Sequence, residues 1–290
     1  MKKTLVSFDW ALKNVLRDKA NFDITSGLLS ELLGRKVAVK DVLESESNQA
    51  GPNDKSNRLD LKVKIDGGEL AIFEVQSNRE SDFFHRILYG TSKTVTEQMS
   101  KGGRYSKIKK VYSIDVVYFN LGKGADYIYR GTTAFKGLHN NKTLKLSAKE
   151  TKFLNHPVPV EGADAGVLFP EYYLIYPNKF DENIKSKFDE WVYFFKTSEI
   201  DTKFTAAGIK RAGEVMDVAR MTESERWDYE HSEKARMIAD SEIESAKVEG
   251  WLEGEARGEA RGEAKGRAEI AALIEQGATL DDIKKRLGIK

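Results

Sequence analysis

Residues Asn57 to Gln76 read NRLDLKVKIDGGELAIFEVQ, and their alternation decides the fold. Asp66-Gly67-Gly68 is a turn signal between two runs whose apolar residues recur at every second position, the pattern of a β-hairpin. Leu59, Leu61, Val63 and Ile65 share one face of the first strand, and Asp60, Lys62 and Lys64 share the other. In the second strand Ala71, Phe73 and Val75 face one way, and Ile72, Glu74 and Gln76 face the other. A three-residue loop with glycine at a left-handed position matches the two apolar faces. It sets Ile65 against Glu69, Leu61 against Phe73 and Asp60 against Glu74. A slip of one residue would part the two acids and mix apolar with charged positions.

Two carboxylates facing each other across strands repel. They are tolerated if water surrounds them or if a cation sits between them. Hard divalent ions such as magnesium take one or two carboxylates plus water and phosphate oxygens. The spacing leaves both readings open.

Upstream, Phe8 to Leu33 reads as helical, with a second helix over roughly Ile24 to Leu33 closed by Gly34. Asp9 and Lys13 lie four apart, either as a surface ion pair or as part of a motif near the site. Lys36 to Glu44 reads as a first strand leading into a polar loop from Ser45 that enters the hairpin just before Asp60, so Glu44 and Glu46 either reach a metal there or are solvated. Downstream, Ser81 is the expected N-cap of a helix that ends at Gly102-Gly103. Arg86, Tyr89 and Lys93 share one stripe of it. Lys101 to Lys110 is a small basic cluster containing Arg104, of the kind that contacts phosphate without reading sequence. Val111 to Phe119 is a β-prone run, and Tyr127 to Tyr129, Thr143 to Leu146 and Tyr172 to Tyr176 read as further strands. Lys152 to Phe169 shows no clear period.

Asp60, a hairpin, then Glu74-Val75-Gln76 resembles the metal-binding core of the PD-(D/E)XK nucleases. More specifically the chain resembles the PD-(D/E)XK nuclease family of transposases, which includes recombination-promoting nucleases. The resembling pieces are DWALK at Asp9, LLSELL at Leu28, LESESN at Leu43, Asn57 to Asp60, Glu74 to Gln76, RILYG at Arg86 and Gly103 to Tyr105, with the glycine-periodic tail. The resemblance implies an α/β, restriction-endonuclease-like core, with a mixed central β-sheet flanked by helices and a helical C-terminal extension. It implies that Asp60, Glu74 and Gln76 are catalytic and that Asp60 and Glu74, with Glu31 added, hold magnesium, or manganese in its place. Arg86, Tyr89, Lys62, Lys13 and Arg104 are the expected substrate contacts. Gln76 stands where the wider superfamily has lysine, so it brings no positive charge to the transition state.

Composition sets the outer bounds. The chain has 290 residues, 40% hydrophobic and 32% charged, which suits one sizeable domain plus extensions. No cysteine is present, so disulfides and thiolate metal sites are excluded. That absence, with no apolar run long enough for a bilayer and no secretory signal at the start, leads to the expectation of a cytoplasmic protein without a membrane partner. The four histidines lack zinc spacing. The net charge of +1 confines any nucleic-acid surface to a local patch.

From Phe180 the pattern is helical, with Ile184, Phe188, Trp191, Val192 and Phe195 on one face, then helices over Ala206 to Arg220 and Glu223 to Ala246. Gly250, Gly254, Gly258, Gly262 and Gly266 recur at every fourth residue, between an acidic row (Glu255, Glu259, Glu263) and a basic row (Arg257, Arg261, Lys265). Each glycine weakens a lone helix by about 1 kcal/mol relative to alanine. The segment is therefore either a self-associating helix or a charged tether. Ile270 to Ile289 reads as two short helices around Gly277, the second capped by Thr279 and Asp282. It is either a DNA-binding helix-turn-helix or a packing module.

The expected organisation is a nuclease-like domain over 1–178, a helical extension over 179–246, a glycine-periodic segment over 247–269 and a helix-turn-helix-like tail over 270–290. The expected activity is metal-dependent hydrolysis of DNA by an endonuclease of the transposase type, in a homo-oligomer built through the C-terminal helix. The rival is an inactive DNA-binding or self-assembling protein on the same scaffold.

Overall fold

The computed structural model describes residues 5–43, 60–99, 103–154 and 161–287. Leu59, Glu44, Glu46 and His156 lie outside the described residues. Two compact units are present, Met1–Tyr229 and Glu230–Lys290.

The first unit runs α1 (Phe8–Asn14), α2 (Phe22–Leu33), β1 (Val39–Leu43), β2 (Leu61–Ile65), β3 (Leu70–Gln76), α3 (Phe83–Glu97) and β4 (Val111–Val117). It continues with β5 (Ile128–Gly131), β6 (Lys145–Leu146), α4 (Ala148–Phe153), β7 (Ala163–Asp164), β8 (Glu171–Ile175), α5 (Lys187–Thr197) and α6 (Ile209–Val215). One sheet has the order β1-β2-β3-β4-β8-β5. Its centre, β3-β4-β8, is parallel and its flanks are antiparallel, so the fold is a mixed α/β sheet of the expected class.

Binary pattern explains the layers. Leu61, Val63, Ala71, Phe73 and Val75 point to one face and join a core with α1, α2, α5 and α6 that includes Phe8, Leu28, Trp191 and Ile209. Every one of these is buried. On the opposite face α3 lies over Ile72, Val111 and Val117, with Phe83 and Ile87 as its buried contacts. The hairpin register is the one expected: Leu61 pairs with Phe73, and Val63 with Ala71.

Several boundaries differ from the sequence reading. α3 starts at Phe83 with Asp82 as its N-cap, because the Phe83 ring is fully buried and packs edge-on to Phe119 at 5.6 Å. It ends at Glu97, not Gly102, because the Gln98 side chain takes the N–H of Lys109 at 2.7 Å and donates to its carbonyl at 3.1 Å. The strand expected over Thr143 to Leu146 shrinks to Lys145–Leu146 and pairs with Ala163–Asp164, outside the main sheet. A Ser186–Asp189 capping box starts α5 after Ile184, leaving Ile184 exposed. The helix expected over Ala206 to Arg220 is only Ile209–Val215, since Gly208 enters it at φ 78° against the backbone of Ile24.

One helix, α7 (Glu223–Glu275), starts in the first unit and supplies most of the second, followed by Gly277 at φ 78° and α8 (Leu280–Leu287). The Thr279–Asp282 capping box forms as expected: Asp282 accepts the Thr279 N–H at 3.0 Å, and the Thr279 hydroxyl accepts the Asp282 N–H at 3.3 Å. Among the described residues no helix is long and apolar enough to cross a membrane.

Glycines in the two units have opposite expectations. A Cβ on Gly27 would collide with the backbone carbonyl of Ala207, whereas one on Gly258 meets nothing within 4 Å. Gly27→Ala should cost about 1–3 kcal/mol in urea unfolding. Gly258→Ala should raise helicity by circular dichroism and gain up to about 1 kcal/mol.

Candidate active site

Asp60 precedes β2 and Glu74 follows Phe73 in β3, so the Leu61–Phe73 pair places both acids at the same end of the hairpin. Asp60 turns its Oδ2 onto the backbone N–H of Val75 at 2.7 Å. Its Oδ1 lies 3.6 Å from the Lys13 ammonium, which also sits 2.7 Å from Asp9. The DWALK helix α1 therefore delivers Lys13 to the site. Arg17, on the turn after it, donates to the Asp60 carbonyl at 2.5 Å.

Glu74 is 6% exposed. Its Oε1 accepts from Arg86, in the first turn of α3, while its Oε2 is buried without a hydrogen-bond partner. Arg86 also grips Glu80 through both carboxylate oxygens at 2.9 and 3.1 Å. Gln76 donates to the same Glu80 at 2.9 Å and to the Asn78 carbonyl at 3.1 Å. Parallel pairing sets Asp115 of β4 beside Glu74, and Asp115 accepts from the Ser113 hydroxyl at 3.0 Å. Glu74, Arg86, Ser113 and Asp115 line a cavity of about 10 Å³, close to the smallest that holds one water.

Burial dominates the electrostatics. It pushes the Glu74 carboxyl up to about 8, helped by Asp60 and opposed by Arg86. It pushes Asp115 up to about 7, against the Ser113 hydroxyl and Arg86. Asp60 is raised by burial too, with the Val75 N–H and Lys13 opposing. Glu171 of β8 shows the contrast. Burial also disfavours its charge, but donors from Arg130, Lys110 and Tyr173 outweigh that and hold it at about 2. Glu74 has one such donor, on Oε1, and none on Oε2.

The structure does not bring every expected residue here. Glu31 accepts from the Ala207 N–H at 2.9 Å, tying α2 to the loop before α6, and so is spent away from Asp60 and Glu74. Lys62 is buried with its ammonium 2.6 Å from Glu97, at the far end of α3 from Arg86. Arg104 is exposed, beyond that same end. Tyr89 is 43% exposed, one turn along α3 from Arg86. Two groups were missed in the sequence, Asp115 and Glu80. The signal for Asp115 was polar residues two apart, Ser113 and Asp115, inside an otherwise apolar strand.

Among the described residues no group of three or more histidine and acidic side chains is arranged to hold a metal ion. A cation here would rest on Asp60 and Glu74, with water and phosphate completing its shell. The partnerless Glu74 Oε2 fits that role.

A family model described as PD-(D/E)XK nuclease family transposase matches residues 6–157, just over half of the chain. The match spans Asp9, Lys13, Asp60, Glu74, Gln76, Arg86 and Asp115. No curated protein and no solved structure matches.

The site carries a pH signature. Folded Glu74 keeps its proton to about pH 8, while the ordinary value is 4.5. Between those limits the folded chain binds more protons than the unfolded one, so stability falls as pH rises and levels off above about 8. In chelator, the urea midpoint should drop between about pH 5 and 8, and Glu74→Gln should lessen the slope and remove the part of it between about pH 7 and 8, Asp115 supplying the remainder below about 7. A wild-type midpoint independent of pH would refute the assignment.

Proposed function

We propose that this chain, which belongs to the PD-(D/E)XK nuclease family transposases, is a divalent-metal-dependent DNA endonuclease. The observation that carries the reading is the pairing of Asp60 with a Glu74 whose second oxygen is buried and unsatisfied. Asp60 and Glu74 would hold magnesium or manganese, which when bound acidifies a water and neutralises charge on the phosphate.

The chain's own groups have distinct tasks. The Val75 N–H and Lys13 orient Asp60. Gln76, fixed by Glu80, presents a neutral amide to the attacking water or phosphate. Positive charge comes from Arg86, whose planar guanidinium suits bidentate contact with phosphate. In this structure Arg86 is engaged by Glu74 and Glu80 instead. Substrate phosphate would compete for the same guanidinium. Lys13 is the second cation within reach.

Supercoiled plasmid with magnesium or manganese tests the reading. Wild type should nick or linearise it, chelator should stop cutting, and Asp60→Asn or Glu74→Gln should lose at least about a hundredfold. Equal cutting by the variants would move the site elsewhere. DNA binding by wild type without cutting in either metal would favour the inactive-scaffold reading.

The tail is proposed to self-associate. α7 runs unbroken through the glycine repeat, with Val248, Trp251 and Leu252 more than half exposed and nothing near the glycine positions. Pairs such as Glu253–Arg257 at 2.6 Å and Glu263–Arg267 at 3.0 Å offset part of the like-charge repulsion within the helix. Glycine permits close approach of a second helix. Sedimentation should show concentration-dependent oligomers for the full chain and a monomer once 247–290 is removed.

A further inference from the structure

α3 buries a stripe of Phe83, Ile87, Thr91 and Thr94 against the sheet. At 3.6 residues per turn Arg86 falls on one flank of that stripe, and Phe84 and Leu88 fall on the other. The Arg86 flank borders the carboxylate cavity. The other flank borders β8 and β5, where a second pocket of about 380 Å³ is walled by Phe84, Ile87, Leu88, Tyr129, Gly131 and Tyr172. Ile87 lines both, so one side chain separates this pocket from the cavity of Glu74 and Arg86.

The walls are largely apolar, and Tyr129 among them is held in place. Phe84 is 54% exposed and Leu88 58%, apolar surface without a described partner. The Tyr129 hydroxyl accepts the Asp126 N–H at 2.9 Å, and its ring stands edge-on to Tyr176 at 5.8 Å. Gly131 has no left-handed backbone that would demand glycine. A Cβ there would sit 3.4 Å from the Tyr172 Cβ, at the near edge of ordinary contact, so glycine leaves this stretch of the wall without a side chain. Arg130 lies at the rim with its side chain 62% exposed, donating through Nε to Glu171 at 2.5 Å and also bonded to Tyr173.

We infer that this pocket takes an unstacked nucleobase of the strand being cut, so that the substrate is DNA with unpaired nucleotides beside the scissile bond. The inference rests on the nuclease reading of Asp60 and Glu74 and names the substrate class of that site. Every base offers a π face, so aromatic walls bind bases without reading sequence. A pocket of this volume lies within the range of small-ligand sites. A paired base would first have to leave its stack, at a few kcal/mol, whereas a base in a gap, fork or single strand avoids most of that cost. Arg130 at the rim and Arg86 at the cavity would both meet the strand's phosphates.

Binding in chelator separates base from phosphate. A short labelled strand is compared by fluorescence anisotropy with one of the same length whose central nucleotides are abasic, so the phosphate charges are equal. Wild type should bind the intact strand at least about fivefold tighter, the lower end for one base on an aromatic side chain. Gly131→Leu, which fills the pocket, and Phe84→Ala, which opens its wall, should bring the ratio close to one, with folding checked by circular dichroism. With metal, a gapped duplex should be cut faster than a fully paired one. Equal affinity for both strands, no binding of either, or a ratio unchanged in both variants overturns the inference. Plasmid cutting without base dependence removes the pocket assignment and leaves the nuclease. Base dependence without cutting in either metal supports the pocket and removes the nuclease reading.

Discussion

Gly67 and Gly68 turn the hairpin at φ 74° and 81°, and the Ile65 N–H meets the Glu69 carbonyl at 2.9 Å. That turn fixes which residue of β2 faces which residue of β3. With side chains alternating, one register buries Leu61, Val63, Ala71 and Phe73 together, and the same register puts Asp60 at the end of the hairpin where Glu74 lies. The apolar face thus enforces a placement that electrostatics alone would resist. Tens of kcal/mol of gross hydrophobic burial across the core stand behind it, far more than the repulsion of two carboxylates in a partly polar site.

Burial then sets the chemistry. α3 closes over the polar face of β3 and β4 and takes Glu74 and Asp115 out of water, leaving one arginine to serve a set of acids that includes Glu80. The shortage of donors is local. At Glu171 three donors converge on an equally buried carboxylate and keep it ionised. The fold is therefore able to satisfy a buried glutamate fully, and at Glu74 it does not. An unsatisfied buried oxygen is costly in a chain that has the alternative of more donors. A cation bound there would relieve that cost and displace the protons the acids otherwise hold.

Legibility followed sequence distance. The hairpin, its register and the Asp60–Glu74 relation could be read because turn and alternation lie within twenty consecutive residues. So could the capping box at Thr279, a four-residue pattern. Ser113 and Asp115 stand out as polar residues in an apolar strand, but that Asp115 lies beside Glu74 depends on a parallel crossover, and the place of Glu80 on where α3 begins. Glu31 and Lys62 had suitable chemistry, but partners distant in the chain, Ala207 and Glu97, claimed them. The family match ends at residue 157, before β8 and α5, yet Tyr173, Ile175 and Trp191 complete the same core. Pattern reading found those elements but not which face of the sheet they would cover.

α3 is the element through which charge and shape are coupled. Its buried stripe anchors at Phe83 and Ile87, both fixed by packing on β4 and the segments around it. Rotating the helix by even a fraction of a turn would withdraw Arg86 from Glu74 and also change the gap between Phe84 and Tyr172. The two flanks cannot be adjusted independently, because a helix carries its faces at fixed angles. A helix that engages the acids on one side and leaves an apolar wall on the other therefore sets the distance between a phosphodiester at the carboxylates and whatever group occupies that wall. Under the nuclease reading proposed above, that distance would match one set by the nucleotide, and the rigidity that fixes the arginine would also limit the shape of strand that enters.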